Sequence, residues 1–172
     1  MALSARSIVT DPYQTHRFQV FDSENFVKLS TPSGGFNLVS LPELNIDMGE
    51  YREGTWVYSR KFPIRPHFTQ ISLHKGIFQN DSQLWKLARA ASEGQRYRTD
   101  LRIMQFHRND VAGSVNYSVA TASREIRCYN CVCIRYRPST DFDSLNSDVA
   151  VEEMDLDPEY FRVFLNGQEV TI

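Results

Sequence analysis

Three cysteines fall within six residues, Cys128-Tyr-Asn-Cys131-Val-Cys133, and four histidines stand apart at positions 16, 67, 74 and 107. Clustered thiols suggest zinc or redox chemistry, but this spacing suits neither. Structural zinc takes four ligands, usually as two separated pairs, and here three cysteines have no histidine close by. On an extended strand Cys131 and Cys133 share one face and Cys128 takes the other, which favours neither chelation nor a local disulfide. The expectation is free, partly buried thiols in a reducing compartment, with no metal and no cofactor. The histidines show no HxxxH or HExxH spacing, and GxSxG, GxxxxGK[ST] and GxGxxG are absent. Gly34-Gly35 in TPSGGF reads as a turn or bulge rather than a phosphate cradle. His74, with polar neighbours on its strand face, reads as exposed or hydrogen-bonded. A cysteine meeting a histidine in space is the one nucleophile pair left open. No catalytic residue is assigned, and catalysis is the weaker reading.

The residues that do stand out are charged and aromatic. ELNIDMG alternates Leu44, Ile46 and Met48 with polar residues, and TWVYSRK alternates Trp56, Tyr58 and Arg60. Between them lie Glu50, Tyr51, Arg52, Glu53 and Gly54. Two period-2 runs around a glycine-containing connection predict a β-hairpin over 44–61 with a tip carrying both charges and a large aromatic.

The elements that must hold this hairpin are mostly strands. Alternating runs predict strands at 17–21, 36–39, 44–48, 55–61, 69–75, 101–106, 114–120, 126–136, 150–156 and 160–165. Asn166-Gly167 signals a type I′ turn, so residues 160–172 form a C-terminal hairpin. One helix is expected over 80–94. Asn80 or Asp81 caps it, Leu84, Leu87, Ala88 and Ala91 share a face with Trp85 at its border, and Gly94 ends it. Residues 1–14 read as a loosely ordered arm. The fold expected is mainly β: an antiparallel β-sandwich or small barrel with one packed α-helix, in a single domain over 1–172.

With 19 basic and 21 acidic residues the net charge is −2, so no global field draws the chain to nucleic acid or membrane. Fifteen of the basic residues are arginine and four are lysine, a skew that hints at protein–protein contact. No signal-peptide core or membrane-length apolar run is visible, and a chain made and folded in a cytoplasm is expected. Charge is also blocked along the chain. Residues 139–161 hold eight acids and no base, whereas 124–137 hold four arginines and one glutamate. Opposite blocks on different faces allow copies to join head to tail as rings or filaments.

DPY at 11–13, MGEYREG at 48–54, RKFP at 60–63, ISLHKGIFQNDSQLWKLA at 71–88 and SDVAVEEMDLDPEYFRV at 147–163 occur in the order found in one family. Over about residues 11–164 the chain resembles the tail tube proteins of contractile-tailed bacteriophages. RCYNCVCIRYRPS departs from it, standing where the family has a tryptophan-rich strand, and the tail after Asn166 has no counterpart. The resemblance implies a hexameric ring whose subunits each add strands to a continuous inner β-barrel. Rings would stack into a tube that conducts DNA, assembled in the host bacterial cytoplasm and carried in the virion, with no stable membrane association. It implies as partners other copies of the chain, the tail sheath protein, baseplate and tail terminator proteins, and transiently the tape measure protein and DNA. On this reading Glu50, Tyr51, Arg52, Glu53 and Arg60 form the ring-stacking contact. Trp85 packs at a subunit joint or in its own subunit's core, and Glu153 and Asp155 on 150–156 supply lumen acids. Two alternatives stay open: the tube of a non-phage contractile injection system (pyocin, extracellular injection system or type VI secretion), and an unrelated small β-domain enzyme or binding module.

Overall fold

Alternation of apolar and polar side chains carries most of this chain into strands, as the computed structural model shows for residues 13–22, 35–79, 81–95, 97–107, 122–142 and 148–171. The order is β1 (Phe18–Asp22), β2 (Phe36–Ser40), β3 (Leu44–Tyr51), β4 (Arg60–Phe68), β5 (Ile71–Gly76), α1 (Gln83–Ser92), β6 (Arg98–Gln105), β7 (Arg124–Arg137), β8 (Val151–Asp157), β9 (Tyr160–Leu165) and β10 (Gln168–Glu169). The architecture is mainly antiparallel β with one helix. The main sheet runs β1-β6-β7-β8-β5-β2, with β9 on β7 and β10 on β9, while β3 and β4 form a separate two-stranded sheet. The expected strand at 114–120, the possible cap Asn80 and residues 1–12 of the arm lie outside the described residues.

The pivot of the sheet is β7. Arg124–Tyr129 pair with β9 and Val132–Arg137 pair with β8. Between these halves the register against β6 slips, because Thr99 faces Cys131 whereas Leu101 faces Cys128. Asn130 takes a left-handed φ of 52°, and its N–H donates to Asp100 Oδ1 at 2.7 Å. One extra residue on one strand is a β-bulge, which bends the strand and shifts the side-chain alternation beyond it. That shift corrects the expectation for the cysteines. Cys128 and Cys131 both face the core, and Cys133 packs against the same cluster. All three are free.

The core lies between the sheet and α1, where Leu73, Leu101, Met154 and Leu156 meet Leu84. Leu87 and Ala88 pack beside them on the same helix face. Past Gly94, in a left-handed φ of 66°, the Gln95 N–H closes on the Ala90 carbonyl at 3.1 Å, which stops the helix. Ser82 occupies the N-cap position without a side-chain bond. Asp81, an expected cap, gives Gln83 N–H only a long 3.4 Å contact and instead pairs with Lys75. At the chain's end Asn166 and Gly167 both have positive φ, 50° and 79°. They form the turn between β9 and β10, which ends at Glu169 rather than running to Ile172.

One boundary differs by most of a strand. Residues 55–59 do not continue a strand into Lys61; Trp56 N–H instead bonds the Glu53 carbonyl in a turn, and β4 begins at Arg60. Pro63 and Pro66 made RKFPIRPHF look unlike a strand, since proline donates no ladder hydrogen bond. In a two-stranded sheet every strand is an edge, and prolines are tolerated there.

Candidate assembly interface

The β3–β4 hairpin stands off the body as an arm. Its base is tied by Thr69 N–H to the Glu43 carbonyl at 3.1 Å and by Glu43 N–H to Thr69 Oγ1 at 2.8 Å. Phe68 packs edge-on against Phe161, with ring centroids 5.6 Å apart. Beyond that anchor nearly every side chain is exposed. Leu44, Ile46, Met48, Phe62 and Ile64 line its shaft in solvent, and Val57 and Tyr58 at the tip are each 76 % exposed. Gly49 lets Phe62 and Ile64 lie across β3, because a Cβ there would sit 2.8 Å and 2.7 Å from their side-chain atoms.

The five charged and aromatic residues singled out in the sequence cluster at the tip. Glu50 and Tyr51 end β3, Arg52 and Glu53 open the turn, and Arg60 starts β4. Two ion pairs brace the arm itself: Glu53 with Arg60 at 3.8 Å and Glu50 with Lys61 at 3.6 Å. Sequence reasoning missed the apolar load, because it read Trp56 and Tyr58 as strand residues and left Phe62 and Ile64 unassigned. Pro63 and Pro66 within a charged segment hid the period-2 signal.

Trp85 is 50 % exposed, so it is not part of its own core. It lies against Tyr136, with centroids 5.7 Å apart, and forms a half-open aromatic ledge. Beneath that ledge the Tyr136 hydroxyl donates to Glu152 Oε2 at 3.1 Å. Burial beside Glu152 pushes the phenol up to about 12. Lys75, fully buried, faces Glu152 across β5 and β8, pairs with Asp81 and lies 5.7 Å over the Phe36 ring. Burial raises the Glu152 carboxyl above its ordinary value despite the Tyr136 bond and the Lys75 charge.

Glu153 and Asp155 sit on the face of β8 turned away from the core, as alternation with Met154 and Leu156 requires. They are not bare acids. Arg135 on β7 bonds both, and Arg137 reaches Glu153. Burial pushes the Asp155 carboxyl up, but the Ser72 hydroxyl and the Arg135 guanidinium outweigh it and hold it below the usual carboxylate range. The signal was present as Arg-Tyr-Arg facing Glu-Met-Asp, but the strand pairing that joins them is invisible in sequence.

A cavity of about 390 Å³ opens between β1 and β2, lined by Phe18, Leu38, Val39, Leu41, Ile103 and Ile126. Its polar lining is Thr15, His16, Asn37 and Gln105, with no cysteine or carboxylate among the lining residues to pair with His16. Among the described residues no three histidine, cysteine or acidic side chains group as a metal site. Burial raises all three thiols, Cys131 to about 12. Among the described residues no helix is long and apolar enough to cross a membrane.

A model of the family described as T4-like virus tail tube protein gp19 matches residues 14–162. Comparison with curated protein sequences finds no match. Among solved structures, the chain is similar to one from the sheath–tube complex of an extracellular contractile injection system (PVC) in its extended state. That pair has a TM-score of 0.75 at 22 % identity, over 96 % of this chain and 99 % of the other. A chain of the anti-feeding prophage tube-terminating cap gives 0.70 at 23 % identity, over 96 % and 99 %. A type six secretion system protein gives 0.51 at 13 % identity, over 91 % of each chain.

Proposed function

The chain belongs to the T4-like virus tail tube protein gp19 family, and from that membership we propose that its copies close into hexameric rings that stack into a hollow tube. The arm is the observation that carries the reading. Among the described residues, nothing covers the apolar side chains along this thin two-stranded sheet. Each square ångström of apolar surface left in water forgoes about 25 cal/mol of burial. A neighbouring copy supplies the missing cover. Glu50, Tyr51, Arg52, Glu53 and Arg60 set the register between stacked rings, as rim charges do. Trp56, Val57 and Tyr58 beside them supply the apolar anchor. Trp85 and Tyr136 pack at the joint between subunits. Among the described strands β1 and β2 are the outermost of the main sheet, a position that suits strand pairing between copies into a closed barrel, which removes exposed edges.

The tube conducts rather than catalyses. In a phage tail it would carry the tape measure protein and then DNA, inside a sheath and between baseplate and terminator proteins. It would assemble in the host cytoplasm and travel in the virion. A non-phage injection system is the second reading, favoured by the similarity to a chain of an extracellular contractile injection system. Capsid, portal and terminase genes beside this one support the phage reading, and their absence beside sheath and baseplate genes supports the other.

Sedimentation and negative-stain microscopy of the purified protein test assembly directly. Rings or tubes are expected for the parent. Replacing residues 52–59 with Asn-Gly should leave folded subunits that fail to stack. A parent that stays monomeric at every concentration overturns the proposal.

A further inference from the structure

Two rows of side chains cross the outward face of β2, β5, β8 and β7. In register, Ser40, Ser72, Asp155 and Arg135 make one row, and Leu38, His74, Glu153 and Arg137 make the next. Arg135 bonds Asp155 Oδ2 through Nη1 and Glu153 Oε2 through Nη2, each at 3.0 Å. Arg137 reaches Asp141 Oδ1 at 3.0 Å and Glu153 Oε1 at 3.6 Å. Ser72 Oγ donates to Asp155 Oδ1 at 2.7 Å, and His74 Nδ1 lies 4.0 Å from Glu153.

The layering matters as much as the pairing. Side chains of Glu153 and Asp155 are only 15 % and 13 % exposed, whereas Arg135 is 54 % exposed above them. A guanidinium is the side chain best shaped to grip a phosphate, by two parallel N–H donors. Here both arms of the Arg135 fork are occupied by carboxylates of its own sheet. Two guanidinium groups face three carboxylates, so the face is close to charge-compensated.

We propose that Glu153 and Asp155 mask Arg135 and Arg137, making this face a surface that a nucleic-acid strand slides past without being held. The proposal rests on the reading of this face as the channel wall, and its test separates the two. Unmasked arginines would capture phosphate through counterion release, repeated in every copy of a tube and multiplied by avidity. A face of acids alone would repel a polyanion over a Debye length of about 8 Å. The paired ladder avoids both extremes.

Fluorescence anisotropy of a labelled oligothymidylate measures the effect on soluble subunits and on assembled material. Parent protein should show no saturable binding at about 150 mM salt. Glu153→Gln with Asp155→Asn should bind at least about tenfold more tightly, with a log–log salt slope near −1.4 for two phosphate contacts. Adding Arg135→Gln and Arg137→Gln to that variant should abolish the binding. Should the double acid variant fail to fold, Glu153→Gln alone leaves Asp155 on Arg135 and should show about half the slope. The masking proposal is overturned if the parent binds as tightly as the folded acid variant, or if no folded acid variant binds. The channel-wall reading fails separately: a Leu38→Cys tube labelled with maleimide gold would carry its label outside, and the masking result on subunits would stand.

Discussion

At the residue scale, the charges with most consequence for stability are buried ones that the sequence did not mark as unusual. Lys75 continues the core row of Ile71 and Leu73 and ends it as a cation among Asp81, Glu152 and Tyr136. Removing the cation alone leaves two carboxylates in a site built around it. Lys75→Met should therefore cost about 3–5 kcal/mol of unfolding free energy, measured by urea titration. A loss under about 1 kcal/mol would show that the acids are relieved some other way. Glu152 makes a pH prediction of defined sign. Its folded pKa is raised above the ordinary 4.5, chiefly by burial. The folded state therefore keeps its proton longer than the unfolded one. The associated stability is full below pH 4.5 and is lost as pH rises through the folded value. Glu152→Gln mimics the protonated form, so its stability should match the parent's at low pH, exceed it by a margin that grows as pH rises through that window, and keep a constant margin above it. A constant difference across the series would remove Glu152 from the account. The raised thiols behave as inert core groups: iodoacetamide at pH 8 should leave Cys128 and Cys131 unmodified in folded protein, with half-buried Cys133 the first to react.

At the element scale, a single left-handed asparagine organises the sheet. Asn130 lets β7 leave β9 and join β8, and Asn tolerates that conformation better than other side-chain-bearing residues. Asn130→Gly should change stability by a few tenths of a kcal/mol, while Asn130→Val should cost about 1–3 kcal/mol as strain. Equal melting temperatures for the two variants would show that the bulge relaxes freely. The same bulge explains what the sequence could and could not disclose. Period 2 located β1, β2, β3, β8 and β9 within a residue or two at most ends, and Leu84, Leu87, Ala88 and Gly94 located the helix. Alternation assumes an uninterrupted strand, so Cys128 and Cys131 were assigned to opposite faces when one inserted residue places them together. The β4 strand was displaced because Pro63 and Pro66 break the propensity signal while leaving an edge strand intact. The acid pair Glu153 and Asp155 was legible as one face of one strand. Their shared partner Arg135 lies 18 and 20 residues away along the chain, and the pairing depends on register alone.

At the scale of the whole molecule, the sequence suggested a charged tongue and the structure presents an apolar arm with a charged rim. The two pictures predict different physics for assembly. If exposed ion pairs drive stacking, tube yield should fall steeply between about 50 and 500 mM sodium chloride, where the Debye length shrinks from near 14 to near 4 Å. If burial of Met48, Val57, Tyr58, Phe62 and Ile64 drives it, yield should change little with chloride. It should rise with sulfate and fall on cooling, because apolar burial is entropy-driven near room temperature. The arm favours the second behaviour, since Glu50 and Glu53 are already paired within it to Lys61 and Arg60. Arg52→Glu should then alter how rings register, seen as shorter tubes restored by salt. Tyr58→Glu, which buries a charge where an aromatic packed, should abolish stacking at every salt concentration while leaving the subunit's melting temperature unchanged. Trp85→Ala belongs to the same comparison. Half exposed on Tyr136, it should lower monomer stability by only about 1 kcal/mol yet reduce ring formation sharply. Sedimentation of the three variants beside the parent, each at low and high salt, decides between the mechanisms. Tubes of parental length from Tyr58→Glu would show that the arm is not the surface on which the rings meet.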